Sequence, residues 1–111
     1  MERGDVITVC LSGDYGKPRP AVIVQCDLLN AEADSVIVCP LTTHFVNAAR
    51  IRVDIAPAPR NGLRQPSQVM VDKIMTVPRR RIGEVIGRLA AEDLQRMDEA
   101  LLFVLGLADP A

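Results

Sequence analysis

Short apolar runs dominate the pattern of hydrophobic and polar positions, and most of them have the length and β-branched content of strands. The runs cover 5–11, 20–26, 35–41, 67–77 and 82–88. Between 50 and 55, apolar and charged residues alternate, which predicts a half-exposed strand. Residues 56–66 hold three prolines and an Asn-Gly pair, which predict an irregular, mobile loop. The chain is therefore predicted to be mainly β.

A C-terminal helix is predicted from Leu89 onward. Apolar residues recur there at three- and four-residue spacing, and acidic residues in the first turn favour the helix dipole. The apolar repeat consists of Leu94, Met97, Leu101, Val104 and Leu105. Residues 27–34 have helical tendency, and 79–81 suit a short helical turn. These elements predict an α+β fold, in which five or six mostly antiparallel strands curl into a barrel-like sheet and the helix packs against it.

The composition fits a single domain spanning residues 1–111. Hydrophobic residues make up 49% of the chain, which is enough for one modest core and too many for a disordered protein. No apolar run reaches membrane-spanning length and no signal peptide opens the chain, so we expect a cytoplasmic protein without a membrane partner. The net charge of −1 leaves partners of either charge open.

Three cysteines, Cys10, Cys26 and Cys39, lie in apolar segments. They form no CxxC pair and have no histidine close by in sequence, so the spacing of a zinc site is missing. We interpret them as small hydrophobic residues inside strands. We expect neither a metal site nor another cofactor.

Arg19 lies between two prolines, at the start of an apolar run, in the segment Lys17-Pro18-Arg19-Pro20. Each proline fixes its own φ and biases the preceding residue towards extended geometry, so this arginine is held on a stiff piece of chain. A guanidinium presents a fork of donors and stays charged at physiological pH. The segment therefore favours a grip on an anion, such as a phosphate, over an ordinary surface salt bridge.

Thr42, Thr43 and His44 follow the third predicted strand. Strand ends often carry functional groups, although threonine is also an ordinary residue there. A threonine hydroxyl could hydrogen-bond a phosphate or a ribose 2′-OH. His44 is the only histidine and could serve as a general acid or base, but no triad partner is visible in sequence. The segment alone leaves both interpretations open.

Asp72 lies in the last long apolar run. Alternation through this run places Asp72 on the same face as Met70 and Ile74, which predicts a semi-buried carboxylate in need of a partner. If this face lines a groove, Asp72 could read a base edge or orient Arg19. If the side chain points outward, it is simply solvated.

The strongest positive patch is Arg79-Arg80-Arg81, with Arg88 nearby. Such a run is either a solvated charge cluster at a turn or a contact to a nucleic-acid backbone. Tyr15 and Phe45 are the only aromatic residues outside the predicted helix, so we do not expect an extended platform for base stacking.

Taken in order, these motifs resemble the MazF/PemK toxins of bacterial toxin–antitoxin pairs. Each motif is short, but their order and spacing are fairly specific, and the resemblance runs nearly end to end. The matching segments are Arg3–Val6, Arg19–Val24, Val38–Thr43, Ser67–Ile74, Thr76–Val77, Arg81–Ile82 and Gly87–Leu89.

The resemblance implies a small SH3-like or CcdB-like barrel of five to seven mostly antiparallel strands with a C-terminal helix. It implies a homodimer that cleaves single-stranded RNA at short sequences without a metal, and a cognate antitoxin that blocks the same groove. Catalytic roles carry over to Arg19 and Thr42. The residues expected to contact RNA are Tyr15, Lys17, Thr43, Asp72, Arg79, Arg80 and Arg81.

The expected reaction is attack of a ribose 2′-OH on its own phosphate, and the general base stays open between His44 and Asp14. An alternative is a CcdB-like toxin that binds DNA gyrase without cutting RNA. Two features motivate this alternative. The loop 12–17 is shorter than usual in the family and lacks a glutamate that many relatives carry, and an apolar helix ends near the terminus. Arg19 and Thr42 count against it, because a gyrase poison has no need for them.

Overall fold

The computed structural model describes residues 1–11 and 16–108. Within them, seven strands and two α-helices form, with 3-10 turns at Val71–Lys73 and Arg79–Arg81. The strands are β1 Asp5–Cys10, β2 Pro18–Ile23, β3 Ser35–Thr42, β4 Arg52–Ile55, β5 Ser67–Met70, β6 Met75–Pro78 and β7 Ile82–Arg88. The helices are α1 Asp27–Asn30 and α2 Ala91–Val104. The predicted α+β class with a C-terminal helix is confirmed.

All strand pairings are antiparallel, and the strand order is β4-β5-β3-β2-β1-β7, with β6 also paired to β3. The strands β6 and β7 lie at opposite ends of the ladder β6-β3-β2-β1-β7, yet only the turn Arg79–Arg81 separates them in sequence. The sheet must therefore roll so that its edges approach each other.

The roll stops short of a closed barrel, because no β6–β7 ladder forms between the described residues. The prediction of a barrel is wrong in this respect. The local reason is that β6 has only four residues and ends at Pro78, whose ring nitrogen cannot donate to a ladder. The next three residues then coil into the 3-10 turn, which turns the chain towards β1.

Two cores occupy the two faces of the sheet, and β3 shows how alternation divides them. Val36 and Val38 face one core, whereas Cys39 and Leu41 face the other, which α2 covers. From α2, the fully or largely buried residues are Met97, Ala100 and Leu101. Leu105, which the helical repeat also assigned to the core, lies beyond the end of α2 and is exposed.

The predicted continuous strand over 67–77 is wrong, because the turn Val71–Lys73 divides it into β5 and β6. Both strands pair with the same side of β3, but in different registers. Leu41 pairs with Val69 and Val38 pairs with Met75, so three residues along β3 face six along the opposing segment. The turn takes up this extra length. Pro40 lies between the two ladders and pairs with Ala21 of β2 on the other side of β3.

The loop 56–66 is irregular, as predicted, but hydrogen bonds and packing hold it in place, in contrast to the mobile loop that was expected. Asn61 is buried; its amide oxygen accepts from the backbone N–H groups of Ala58 and Leu63, and its amide nitrogen donates to the Ala56 carbonyl. The loop packs on β7 closely enough that a Cβ on Gly87 would lie 2.3 Å from the backbone of Asn61. This contact covers part of an edge strand that would otherwise be open.

The three cysteines differ in their surroundings. Cys39 is buried in β3, and this burial raises the pKa of its thiol to about 12. Cys10 is partly buried at the end of β1. Cys26 is exposed at the start of α1, so the interpretation of all three as residues inside strands is wrong for this one.

No helix in the described part of the chain is long and apolar enough to cross a membrane.

Candidate active site

The strand register brings Arg19 of β2 and Thr42 of β3 to the same end of the sheet. On one side of β2, Arg19 pairs with Val9 of β1; on the other side, Ala21 pairs with Pro40 of β3. The β2–β3 ladder ends at the pair Ala21–Pro40; continued for two residues beyond it, the same register would place Arg19 opposite Thr42. Neighbouring strands are about 4.8 Å apart, and residues directly opposite each other point to the same face. Arg19 and Thr42 therefore lie on adjacent strands, at the same end of the sheet.

Arg19 is exposed and lies on a largely apolar rim. It lines a shallow depression whose other walls belong mostly to the core that α2 does not cover. These walls include Val9, Leu11, Ala21, Val38, Met75 and Val77.

Thr42 ends β3, and its hydroxyl is oriented by the next turn. Its Oγ1 accepts a hydrogen bond from the backbone N–H of His44 at 3.0 Å. A hydroxyl can accept and donate at the same time, so Thr42 keeps its O–H for a ligand. Thr43 and His44 are both exposed beyond it.

Two further cations lie at the same end of the sheet. Arg81 donates from Nη1 to the Cys10 carbonyl at 3.3 Å, and Cys10 pairs with Pro18, the residue after Lys17. Lys17 is exposed and Arg81 is half-buried. The end of the β7-β1-β2 ladder is thus positively charged, as a phosphate-binding surface requires. Tyr15 and Asp14, which belong to the same predicted site, lie outside the described residues.

A family model for the PemK-like, MazF-like toxins of type II toxin–antitoxin systems matches residues 2–105. The chain belongs to this family.

The relatives of this family member agree with that assignment. It is 47% identical to the probable endoribonuclease MazF of Mycolicibacterium smegmatis over 109 residues, which cover 97% of this chain and 99% of the relative. It is 29% identical over 116 residues to the endoribonuclease EndoA of Bacillus subtilis, with 98% and 97% covered. Among solved structures, the Mycobacterium tuberculosis toxin MazF-mt6 matches with a TM-score of 0.80 at 28% identity, over 95% of this chain and 99% of that one.

The basic patch of this MazF/PemK-like chain, Arg79–Arg81 with Arg88, does not form one continuous surface. Arg79 donates from Nε to the Ala33 carbonyl at 2.9 Å and from Nη2 to the Asn30 carbonyl at 2.6 Å. Arg88 pairs with the Asp5 carboxylate at 2.9 Å. Of the three consecutive arginines, Arg79 is therefore a structural anchor. Arg80 is exposed, and the half-buried Arg81 lies near Lys17, where one of its nitrogens bonds the Cys10 carbonyl.

Asp72 is not brought to Arg19. It lies in the turn between β5 and β6, both of which are on the side of β3 away from β2. Its carboxylate accepts from Arg52, at 2.8 Å from Nε and 3.4 Å from Nη2. The Arg52 guanidinium holds the pKa of Asp72 below its usual range. The predicted semi-buried strand carboxylate is thus an exposed residue in a turn, because the chain leaves the strand at Val71.

Sequence reasoning missed Gln68, a buried amide in β5. It is the cross-strand partner of Thr42, and its side chain binds both the backbone of Val46 and the carboxylate of Asp54. The signal was present in the segment Ser67-Gln68-Val69-Met70-Val71. A long polar side chain inside an apolar strand must find partners if it is buried.

Proposed function

We propose that this chain is an endoribonuclease toxin that cleaves single-stranded RNA at Arg19 and Thr42. The placement of these two residues at the same end of adjacent strands carries the proposal. The 47% identical relative named as a probable endoribonuclease supports the reaction class. The CcdB-like alternative is not favoured, because the matching family model and the relatives named above point to MazF-like toxins.

The proposed reaction is an internal transfer within the RNA. A ribose 2′-oxygen attacks the adjacent phosphorus and loses its proton, an O2′–P bond forms, and the P–O5′ bond breaks. The departing 5′-oxygen takes up a proton, so the products are a 2′,3′-cyclic phosphate and a 5′-hydroxyl. The nucleophile belongs to the substrate, so the chain needs no metal to generate one.

The protein's task is then to position the phosphate and to stabilise the charge that grows on it. The Arg19 guanidinium supplies a fixed fork of donors to the phosphoryl oxygens. The Thr42 O–H donates to one of these oxygens while Oγ1 stays held by the His44 backbone N–H. Both groups stabilise the pentacoordinate state more than the starting diester, because negative charge concentrates on those oxygens as the reaction proceeds.

Binding of the RNA strand falls to the groups around this pair. Lys17, Arg80 and Arg81 offer positive charge to flanking phosphates, and Thr43 offers a hydroxyl. Tyr15 is proposed as a stacking surface for one base. For the general base, His44 is the described candidate, since it is exposed two residues beyond Thr42 and an imidazole nitrogen can accept a proton.

The protein partners are also proposals. We propose that the chain forms a homodimer and is blocked by a cognate antitoxin. One structural neighbour, 24% identical, is described as an endoribonuclease in complex with its cognate antitoxin. The free chain exposes several leucines around α1 and the end of α2, a surface of the kind that partners cover. These are Leu28, Leu29, Leu102, Leu105 and Leu107. Sedimentation of the pure chain, alone and with the product of a neighbouring small acidic gene, tests both partners.

The decisive experiment compares wild type with Arg19→Ala on a long single-stranded RNA in excess EDTA. We expect wild type to cut and to leave cyclic-phosphate and 5′-hydroxyl ends. Arg19→Ala should lose roughly 100-fold or more in cleavage rate, the order of loss when an oxyanion-stabilising donor is removed. The matched control is Arg64→Ala, which deletes the same charge at an exposed loop position. Equal cleavage by wild type and Arg19→Ala would remove Arg19 from the mechanism.

A further inference from the structure

Both polar atoms of the Gln68 side-chain amide are hydrogen-bonded. The oxygen Oε1 accepts from the Val46 N–H at 3.2 Å. The nitrogen Nε2 donates to the Val46 carbonyl at 3.0 Å and to Oδ1 of Asp54 at 2.8 Å. The residue is only 4% exposed, so water cannot easily replace these bonds.

These bonds fix the segment that follows Thr42 at both of its ends. The backbone of Gln68 is the β-ladder partner of Thr42, while its side chain holds Val46 four residues further on. Between them, Thr42 Oγ1 binds the His44 N–H. The residues Thr43, His44 and Phe45 are exposed and bury little surface of their own. One side chain thus closes the short loop on which the Thr42 hydroxyl depends.

We propose that Gln68 is a positioning residue for Thr42: it fixes the loop 43–46 so that the Thr42 hydroxyl is held for the reacting phosphate. Asp54 completes the arrangement, because it accepts the second amide proton and so selects the orientation of the Gln68 amide. The inference rests on the proposed function, since it assigns the catalytic threonine a support.

The main test is Gln68→Glu, a nearly isosteric change. Glutamate can still accept from the Val46 N–H, but it cannot donate to the Val46 carbonyl, and it places a second carboxylate beside Asp54. We expect the cleavage rate at saturating RNA to fall roughly 10- to 100-fold, as misplacement of a catalytic group by about 1 Å does. KM should change less than about threefold, because Gln68 is buried away from the RNA. The matched control Gln65→Glu makes the same chemical change at an exposed position and should keep the wild-type rate.

A second substitution should restore part of the loss. When Gln68→Glu is combined with Asp54→Asn, the new amide donates to the introduced carboxylate and removes the repulsion between the two acids. The rate should therefore recover about fivefold or more. Asp54→Asn alone keeps an acceptor for Nε2 and should lose less than about threefold. If Gln68 only stabilised the fold, the second substitution would restore the unfolding midpoint but would not need to restore the turnover rate.

The threonine itself provides the sharpest control. In a Thr42→Ala background Gln68 has no catalytic hydroxyl left to position. Gln68→Glu should therefore lower the cleavage rate by less than about threefold there, whereas in the wild-type background it should lower the rate by the roughly 10- to 100-fold given above. An equally large further loss in the Thr42→Ala background would overturn the proposal. So would a folded Gln68→Glu variant that cleaves at the wild-type rate.

Two measurements separate the failure of this proposal from the failure of the proposed function. Hydrogen exchange at the Val46 amide needs no RNA, and we expect Gln68→Met to speed it by at least about tenfold, because the amide loses its buried acceptor. Unchanged exchange in a folded variant would overturn the support role. If wild type does not cleave RNA, the proposed function fails instead. Should Gln68 variants not fold, Val46→Pro removes the loop N–H and also fixes φ at this position, whereas Val46→Ala retains the N–H; the proline variant alone should lose turnover.

Discussion

Arg19 and Arg79 each follow a proline, and each lies beside a short strand, but the structure gives them opposite tasks. Arg19 lies in β2, where it pairs with Val9 of β1, at the exposed end of the sheet. Arg79 lies against the end of the four-residue helix α1, where the carbonyls of Asn30 and Ala33 accept its guanidinium. The last carbonyls of a helix lack intrahelical partners. An arginine beside such a helix end therefore becomes an anchor, whereas one at the rim of a completed ladder presents its charge at the surface.

The largest difference should be in stability. Arg79→Ala removes two charge-assisted hydrogen bonds to backbone carbonyls, so we expect the free energy of unfolding to fall by about 1–3 kcal/mol. The cleavage rate per folded molecule should change little. Urea unfolding combined with active-site titration measures both quantities. As a mirror control, Arg19→Ala should lower the cleavage rate far more than Arg79→Ala does. A stable but inactive Arg79→Ala variant would place Arg79 in the RNA site and end the contrast.

Arg80, which follows Arg79 in the same 3-10 turn, tests the contrast between an anchoring arginine and one that contacts RNA. It is exposed next to the anchor, so Arg80→Ala should not affect folding but should remove one phosphate contact. For single-stranded RNA, the slope of log K against log salt should become shallower by about 0.7. The readout is RNA affinity of the inactive Arg19→Ala protein at several salt concentrations. Identical slopes with and without Arg80 would mean that the RNA does not pass over this turn.

The smallest effect is expected at Arg52 and Asp72, a pair that ties the 3-10 turn after β5 to the start of β4. The pKa of Asp72 is lower in the folded chain than its ordinary value, so the pair stabilises the fold above the unfolded-state pKa of about 4. That stability is lost as the pH falls through the lower folded value. Asp72→Asn should therefore flatten the acid side of the stability curve below about pH 4 and leave cleavage at neutral pH unchanged. Thermal melts from about pH 2 to about pH 6 cover this range and measure the first effect, and a neutral-pH assay measures the second. A strong loss of cleavage in Asp72→Asn would show that Asp72 belongs to the RNA site after all.

Much of the fold was predictable because its signals are local. The apolar runs around β1, β2 and β3 and the periodic helix α2 depend on neighbours within a few residues, and each formed close to its predicted place. The run 67–77 was misleading because most of its residues are apolar or favour strand. The turn at Val71–Lys73 lies where the pairing of β3 changes from β5 to β6. Propensity does not register such a change of partner.

The candidate site divides in the same way. The sequence by itself determined that Arg19 is stiffly mounted and that Thr42 ends a strand, since prolines and strand boundaries act on the chain around them. Only the tertiary structure decided that these two lie at the same end of adjacent strands, that Asp72 pairs with Arg52, and that Gln68 holds the loop after Thr42. The Arg79 anchor spans 46 and 49 residues of sequence, and the Arg52–Asp72 bond spans 20. Whether a charged or amide side chain is an anchor or is available for a ligand depends on which unpaired groups the folded chain brings beside it, and that is settled only when distant segments pack together.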